Sequence, residues 1–241
     1  MKTSSHFSFP ILLISLIFIF ENQAIAQLSF LRKIPVKPVM DIGFRTYGSP
    51  PPSMDINLIG SRAINIAALY EVYLSDYFTM NTGLGIGIDR YSFSNEVTLK
   101  EITDFQENRI VGVFPLIGIK DIRKTLLTPT YLEIPLEFRA VTSTGRETFR
   151  FILGFKAGVL VSAHTKIKYG TGDDVVIAKE KSDFFLNRFR YGVYTRIGYK
   201  SIHLYTYYSL SDLFQNNKLV SGTATNQNVT PLMFGLSFLM Y

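Results

Sequence analysis

From Phe149 to Ala163 every odd-numbered residue is apolar: Phe149, Phe151, Leu153, Phe155, Ala157, Val159, Val161 and Ala163. The even-numbered residues Arg150, Ile152, Gly154, Lys156, Gly158, Leu160, Ser162 and His164 mix charge, glycine and small side chains. Successive side chains of a β-strand point to opposite faces, so this stretch reads as one strand with a greasy face and a polar one. Its length is the stronger constraint. Strands of soluble domains typically run about 5–6 residues, whereas a strand crossing a bilayer at a tilt needs about 9–11.

Seven segments, this one included, carry the pattern plainly. Ile66, Ala68, Tyr70, Val72 and Leu74 oppose Glu71 and Tyr73; Phe78, Met80, Leu84, Ile86 and Ile88 oppose Asn81, Gly83, Gly85, Gly87 and Asp89. Leu132, Ile134, Leu136 and Phe138 oppose Glu133, Glu137 and Arg139. Phe189, Tyr191, Val193, Thr195, Ile197 and Tyr199 oppose Arg188, Arg190, Gly192, Tyr194, Arg196 and Gly198. Ile202, Leu204, Tyr208 and Leu210 oppose His203, Tyr205 and Tyr207, and Leu232, Phe234, Leu236, Phe238 and Met240 form the last apolar stripe. A shorter eighth segment sets Met40, Ile42 and Phe44 against Asp41, Gly43 and Arg45.

The connections alternate strictly. Ser75-Asp76, Ser143–Glu147 and Lys200-Ser201 are tight turns, while residues 49–63, 92–129, 166–184 and 211–229 form long, polar connections. Short turns on one side and long loops on the other are the layout of an outer-membrane barrel. Residues 110–119 leave room for an extra hairpin and a ten-stranded count, although Pro115 argues against a central strand there.

The N-terminus supplies the address. Lys2 precedes the apolar run Ile11–Phe20, and Ala24-Ile-Ala26 has the small-x-small pattern of a cleavage site. Residues 1–26 therefore read as a secretory signal peptide and 27–241 as the barrel domain. Cleavage leaves 215 residues (241 − 26) with the net charge of +6 unchanged, because Lys2 and Glu21 cancel. Export excludes nucleic acid as a partner. The chain has no cysteine, so neither a disulfide scaffold nor a cysteine-based zinc site is available.

In hydrocarbon every backbone N–H and C=O needs an internal partner, which an open sheet edge cannot give. The expected fold is therefore all-β: an eight-stranded antiparallel up-and-down transmembrane β-barrel with its apolar face on lipid. The lumen of eight strands is just wide enough for side chains to fill it. Arg45, Glu71, Glu133, Glu137, Arg139, Lys156, Arg190 and Arg196 are the expected structural charge network of that filled polar lumen. The inner glycines leave room for Arg and Tyr from facing strands. Tyr70, Phe78, Phe149, Tyr199 and Tyr208 fall near the ends of apolar stretches, where aromatic girdles sit.

Arg123-Lys-Thr-Leu-Leu, followed by Tyr131-Leu-Glu-Ile-Pro-Leu136, resembles a strand of the PorT-like outer-membrane β-barrel family. The glycine-spaced Gly154–Ser162 strand, trailing into Lys166 and Lys168, and the closing Gly235–Tyr241 are similar to later strands of that family. The resemblance implies a bacterial outer-membrane location and a single barrel domain; the family takes its name from a component linked to type IX secretion. Tyr241 departs from the pattern, being out of phase with Phe234 and Phe238.

No segment reads as a cofactor site. Gly83-Leu-Gly-Ile-Gly87 lacks the strand–turn–helix setting of a nucleotide loop, and Asp173-Asp174 lacks the regularly spaced oxygens of a calcium loop. The expected role is non-enzymatic: structural, or in secretion, assembly or surface interaction through the long extracellular loops. Expected partners are outer-membrane lipid and lipopolysaccharide, the barrel-assembly machinery during insertion, and envelope or secretion-system proteins. Two alternatives stay open. One is an acyl-transfer or hydrolytic enzyme at the lumen mouth using Ser162 and His164. The other is a secreted lipid-binding barrel whose apolar face encloses its ligand.

Overall fold

A computed structural model describes residues 36–48, 53–103, 106–145, 147–171, 174–221, 224–225 and 229–240. The signal-peptide reading, Tyr241 and Asp173 lie outside them. The strands among the described residues are β1 (Val36–Tyr47), β2 (Arg62–Tyr73), β3 (Phe78–Phe93), β4 (Val97–Thr103), β5 (Arg109–Pro115), β6 (Ile122–Val141) and β7 (Phe149–Tyr169). They continue with β8 (Val176–Lys181), β9 (Phe189–Tyr199), β10 (Ile202–Ser209), β11 (Leu219–Ser221), β12 (Ala224–Thr225) and β13 (Pro231–Leu239).

Eight of these close on themselves in the order β1-β2-β3-β6-β7-β9-β10-β13, with β13 paired back onto β1. Each strand neighbours the next barrel strand in sequence, so the expected eight-stranded up-and-down meander is the fold. Its register puts the stripes where an inside-out barrel needs them. Ile134, Leu153, Ile197 and Leu204 are half-exposed or more on the outside, whereas Arg45, Glu137 and Ser237 are 0–1% exposed within. That orientation rules out the alternative in which the apolar face encloses a ligand. Phe149 and Tyr199 meet with ring centroids 5.1 Å apart at the short-turn rim.

The open question over residues 110–119 resolves against a ten-stranded barrel. β4 and β5 form a hairpin outside the wall, in a small sheet ordered β12-β11-β5-β4, and Pro115 is the last residue of β5. Proline at a strand end forfeits no central ladder bond. β6 and β7 are far longer than the alternation suggested, 20 and 21 residues. Their upper halves rise past the apolar band, and β8 pairs with the top of β7.

Candidate functional site

The lumen is filled by ions arranged in two connected chains. In the first, Arg45 donates to Asp89 at 2.6 Å, and Arg190 donates to the same carboxylate at 2.5 Å. Arg190 also donates through Nε and Nη2 to Glu133 at 3.0 and 2.7 Å, and Lys156 completes that carboxylate at 3.2 Å. In the second chain Arg196 forks onto Asp41 at 3.0 and 3.1 Å and also donates to Glu137. Arg139 bridges Glu137 at 3.2 Å and Glu71 at 2.6 Å, and Lys37 donates to Glu71. Charge-assisted forks of this kind are the stronger class of hydrogen bond, and they fix geometry as well as charge.

Tyrosines from three walls wedge between these ions. The Arg190 guanidinium lies 3.9 Å over the Tyr131 ring, Arg196 lies 4.6 Å over Tyr194, and Lys156 lies 4.3 Å over Tyr207. Tyr194 donates to Glu137 at 3.0 Å. Glycine on the inner face makes the space. A Cβ on Gly154 would sit 2.2 Å from Tyr194 Cζ, and one on Gly87 would sit 2.5 Å from Arg190 Nη2. The Tyr131–Leu136 run is thus a whole membrane strand in miniature. Tyr131 and Glu133 carry Arg190, Leu132, Ile134 and Leu136 meet lipid, and Thr82 Oγ1 donates to the Pro135 carbonyl at 3.0 Å.

All eight residues anticipated for the lumen are therefore brought inside and into ion pairs. Asp41, Asp89 and Lys37 join them, although sequence reasoning left them out. Strand parity was the available signal for the two aspartates, which share the inner face with Arg45 and Gly87 and are at least as buried as Glu133.

The four long connections do not stand free. Met54 from the first, Val97, Leu99 and Val111 from the second, Phe184 from the third with Leu186 just beyond it, and Leu213, Phe214, Leu219 and Val229 from the fourth share one buried cluster. Tyr47, Tyr91, Phe93, Leu127 and Ala163, at the tops of barrel strands, form its floor. Polar links tie the segment leading into β9 to the fourth connection: Asn187 Nδ2 donates to the carbonyls of Asp212 at 2.7 Å and Phe214 at 3.0 Å. The loops thus fold into a cap over the lumen.

Ser162 and His164 need a correction. Tyr131 pairs with Leu160 and Thr130 with Ser162, so β7 carries an extra residue at Val161. A bulge reverses which face follows it. Below it the even residues of β7 are buried; above it Ala163 and Thr165 turn inward. Ser162 and His164 therefore lie on the outer face and not at the lumen mouth. Burial, with Lys179, Lys166 and Lys181 around it, holds the His164 imidazole below its usual range. Cations surround this histidine where a nucleophile's base would need a carboxylate to orient it.

The chain belongs to the outer membrane protein beta-barrel domain family, which it matches over residues 39–215. Family and inside-out barrel together place it in the bacterial outer membrane. No curated protein matches the chain in sequence. Among solved structures, it is similar to the attachment invasion locus protein Ail of Yersinia pestis, with 12% identity, a TM-score of 0.37, and coverage of 86% of this chain and 100% of that one. It is also similar to a triple mutant of the Rhodopseudomonas blastica porin, with 8% identity, a TM-score of 0.18, and coverage of 85% and 99%.

Proposed function

We propose that the protein is a non-enzymatic outer-membrane barrel of a Gram-negative envelope, acting through its outer surfaces as a structural element in surface interaction, secretion or assembly. The observation that carries this reading is double closure: buried ion chains fill the lumen and the folded cap covers its mouth. Ion pairs across the lumen and apolar side chains at its mouth argue against a diffusion pore, and His164 stands among lysines on the outer face. The finer parts of the reading follow the sequence. Residues 1–26 act as a cleaved signal peptide, the barrel-assembly machinery inserts the mature chain, and the resemblance of Tyr131–Leu136 supports PorT-like kinship without a secretion role being carried across. The partners are outer-membrane lipid and lipopolysaccharide on the wall and envelope or secretion-system proteins at the cap.

Reconstitution into liposomes tests it. The expected result is a heat-modifiable barrel with no sugar-driven swelling and no lipid product formed. Swelling through the lumen, or phospholipid turnover that His164→Ala abolishes, overturns the proposal.

A further inference from the structure

The charges on the outside obey a different rule from those within. Arg62 on β2 lies directly across the ladder from Arg90 on β3. Lys124 on β6 lies opposite Lys168 on β7, and Lys166 on β7 lies opposite Lys179 on β8. Like charges directly opposite one another weaken a sheet. Here three such pairs occur on neighbouring strands of one wall, and Lys181 extends the row beside His164.

Register fixes their face. The exposed Ile64 and Ile88 share the outer stripe with Arg62 and Arg90, and Leu132 shares it with Lys124. On β7 the Val161 bulge brings Lys166 and Lys168 onto that same face. The row therefore sits immediately above the apolar band on the long-loop side. Inside the barrel the ions form continuous chains of pairs; among the described residues none of these seven cations forms an ion pair. Arg90 Nε is buried with no hydrogen-bond partner among the described residues. Burial, with Arg90, Arg62, Lys166 and Lys168 nearby, holds the Lys124 ammonium below its usual range. Beyond Lys181 the row runs into a cleft of about 640 Å³ lined by Leu160, Val161, Leu186 and Arg188 together with Asp183.

We infer that this row is a binding site for the phosphate groups of an outer-leaflet glycolipid, with the acyl chains lying on the apolar band directly below. The inference deepens the proposed lipopolysaccharide contact and rests on the barrel's standing in the outer membrane. A row of unpaired cations at headgroup height is the complement of a phosphorylated sugar whose acyl chains run down the wall. Lipid commits the site where a free anion does not, because the cations and the greasy stripe form one continuous surface. Neutralising the phosphates also removes the mutual repulsion of the cross-strand pairs.

The test uses the full mature chain refolded in detergent micelles, with diphosphorylated lipid A and its dephosphorylated form as probes and native mass spectrometry to count adducts. The row variant is Lys124→Gln/Lys166→Gln/Lys168→Gln, and Lys100→Gln/Lys200→Gln/Lys218→Gln removes the same charge elsewhere. The expected result is a loss of diphosphorylated lipid A affinity of about tenfold or more in the row variant only, each basic side chain near an anionic surface contributing on that scale. The dephosphorylated form binds all three proteins equally weakly. Equal loss in both variants, equal binding of the two lipids, or full displacement by low-millimolar inorganic phosphate overturns the site. Gel migration without heating separates the two claims: a folded barrel indifferent to phosphate refutes the site alone, whereas a chain that never becomes heat-modifiable refutes the barrel reading as well.

Discussion

Replacing Arg190 with methionine takes away the cation that joins two buried carboxylates. Asp89 is fully buried and would keep only Arg45, at 2.6 Å; Glu133 would keep only Lys156, at 3.2 Å. The Tyr131 face would lose the guanidinium packed 3.9 Å above it. Truncating one partner of a buried pair costs about 3–5 kcal/mol, because a charge is left without its counterion. Each orphaned carboxylate here retains another cation, so the expected cost lies near the lower end, about 3 kcal/mol, or roughly two decades in the folding equilibrium. Glu133→Gln alone leaves Arg190 with Asp89 and frees Lys156, and is expected to cost about 2–3 kcal/mol. The informative measurement is the double variant Arg190→Met/Glu133→Gln, unfolded in urea from lipid vesicles and followed by heat-modifiable migration. If the two side chains act through each other, the double variant is more stable than the sum of the singles by about 2 kcal/mol. Additivity within about 0.5 kcal/mol would refute the view that the lumen is held by a connected ion chain.

Ile134→Arg, in the middle of the apolar band, should cost about 2–4 kcal/mol in the same urea experiment, and Tyr199→Arg at the short-turn rim about 0–1 kcal/mol. Gly154→Ala drives a methyl against the Tyr194 ring and should cost about 1–3 kcal/mol, read as a lower urea midpoint. Leu99→Ala opens a cavity in the cap and should weaken it by about 2–5 kcal/mol, seen as faster protease cutting of the long connections while unheated gel migration is unchanged. His164 has a folded-state pKa below its ordinary 6.5, so the unfolded chain binds the extra proton first and stability falls as pH drops below that value. Urea midpoints between pH 7 and pH 5 should fall less in His164→Asn than in the parent protein.

The wall was legible in the sequence because a membrane barrel writes its orientation into every second residue. On β7 the parity of Phe149–Val159 is the parity of the structure, and Glu133, Arg190 and Arg196 could be placed inside from it alone. What failed was a change of phase. The bulge at Val161 falls in Val-Leu-Val-Ser-Ala-His, where no glycine marks it, so strict alternation puts Ser162 and His164 on the wrong face. Asp41 and Asp89 lie on the face their parity predicts, but their partners Arg196, Arg45 and Arg190 come from other strands, and the pairing shows only once the barrel closes. The cap was invisible for a different reason: Met54, Leu99, Phe184 and Leu213 come from four separate connections and share no period. The cation row needed pairing register, since Arg62 and Lys179 are neighbours of a single stripe only once β2, β3, β6, β7 and β8 lie side by side.

Because the chain has no cysteine, a single one introduced at Leu136, Leu153 or Ile197 can carry the only nitroxide label in the protein. Power-saturation spectroscopy in lipid vesicles then reports what the outer stripe touches. If the greasy face meets acyl chains, all three labels are readily relaxed by dissolved oxygen and shielded from a water-soluble nickel reagent. Labels open to nickel and shielded from oxygen at these positions would mean that the face looks into water, and the inside-out barrel would be wrong.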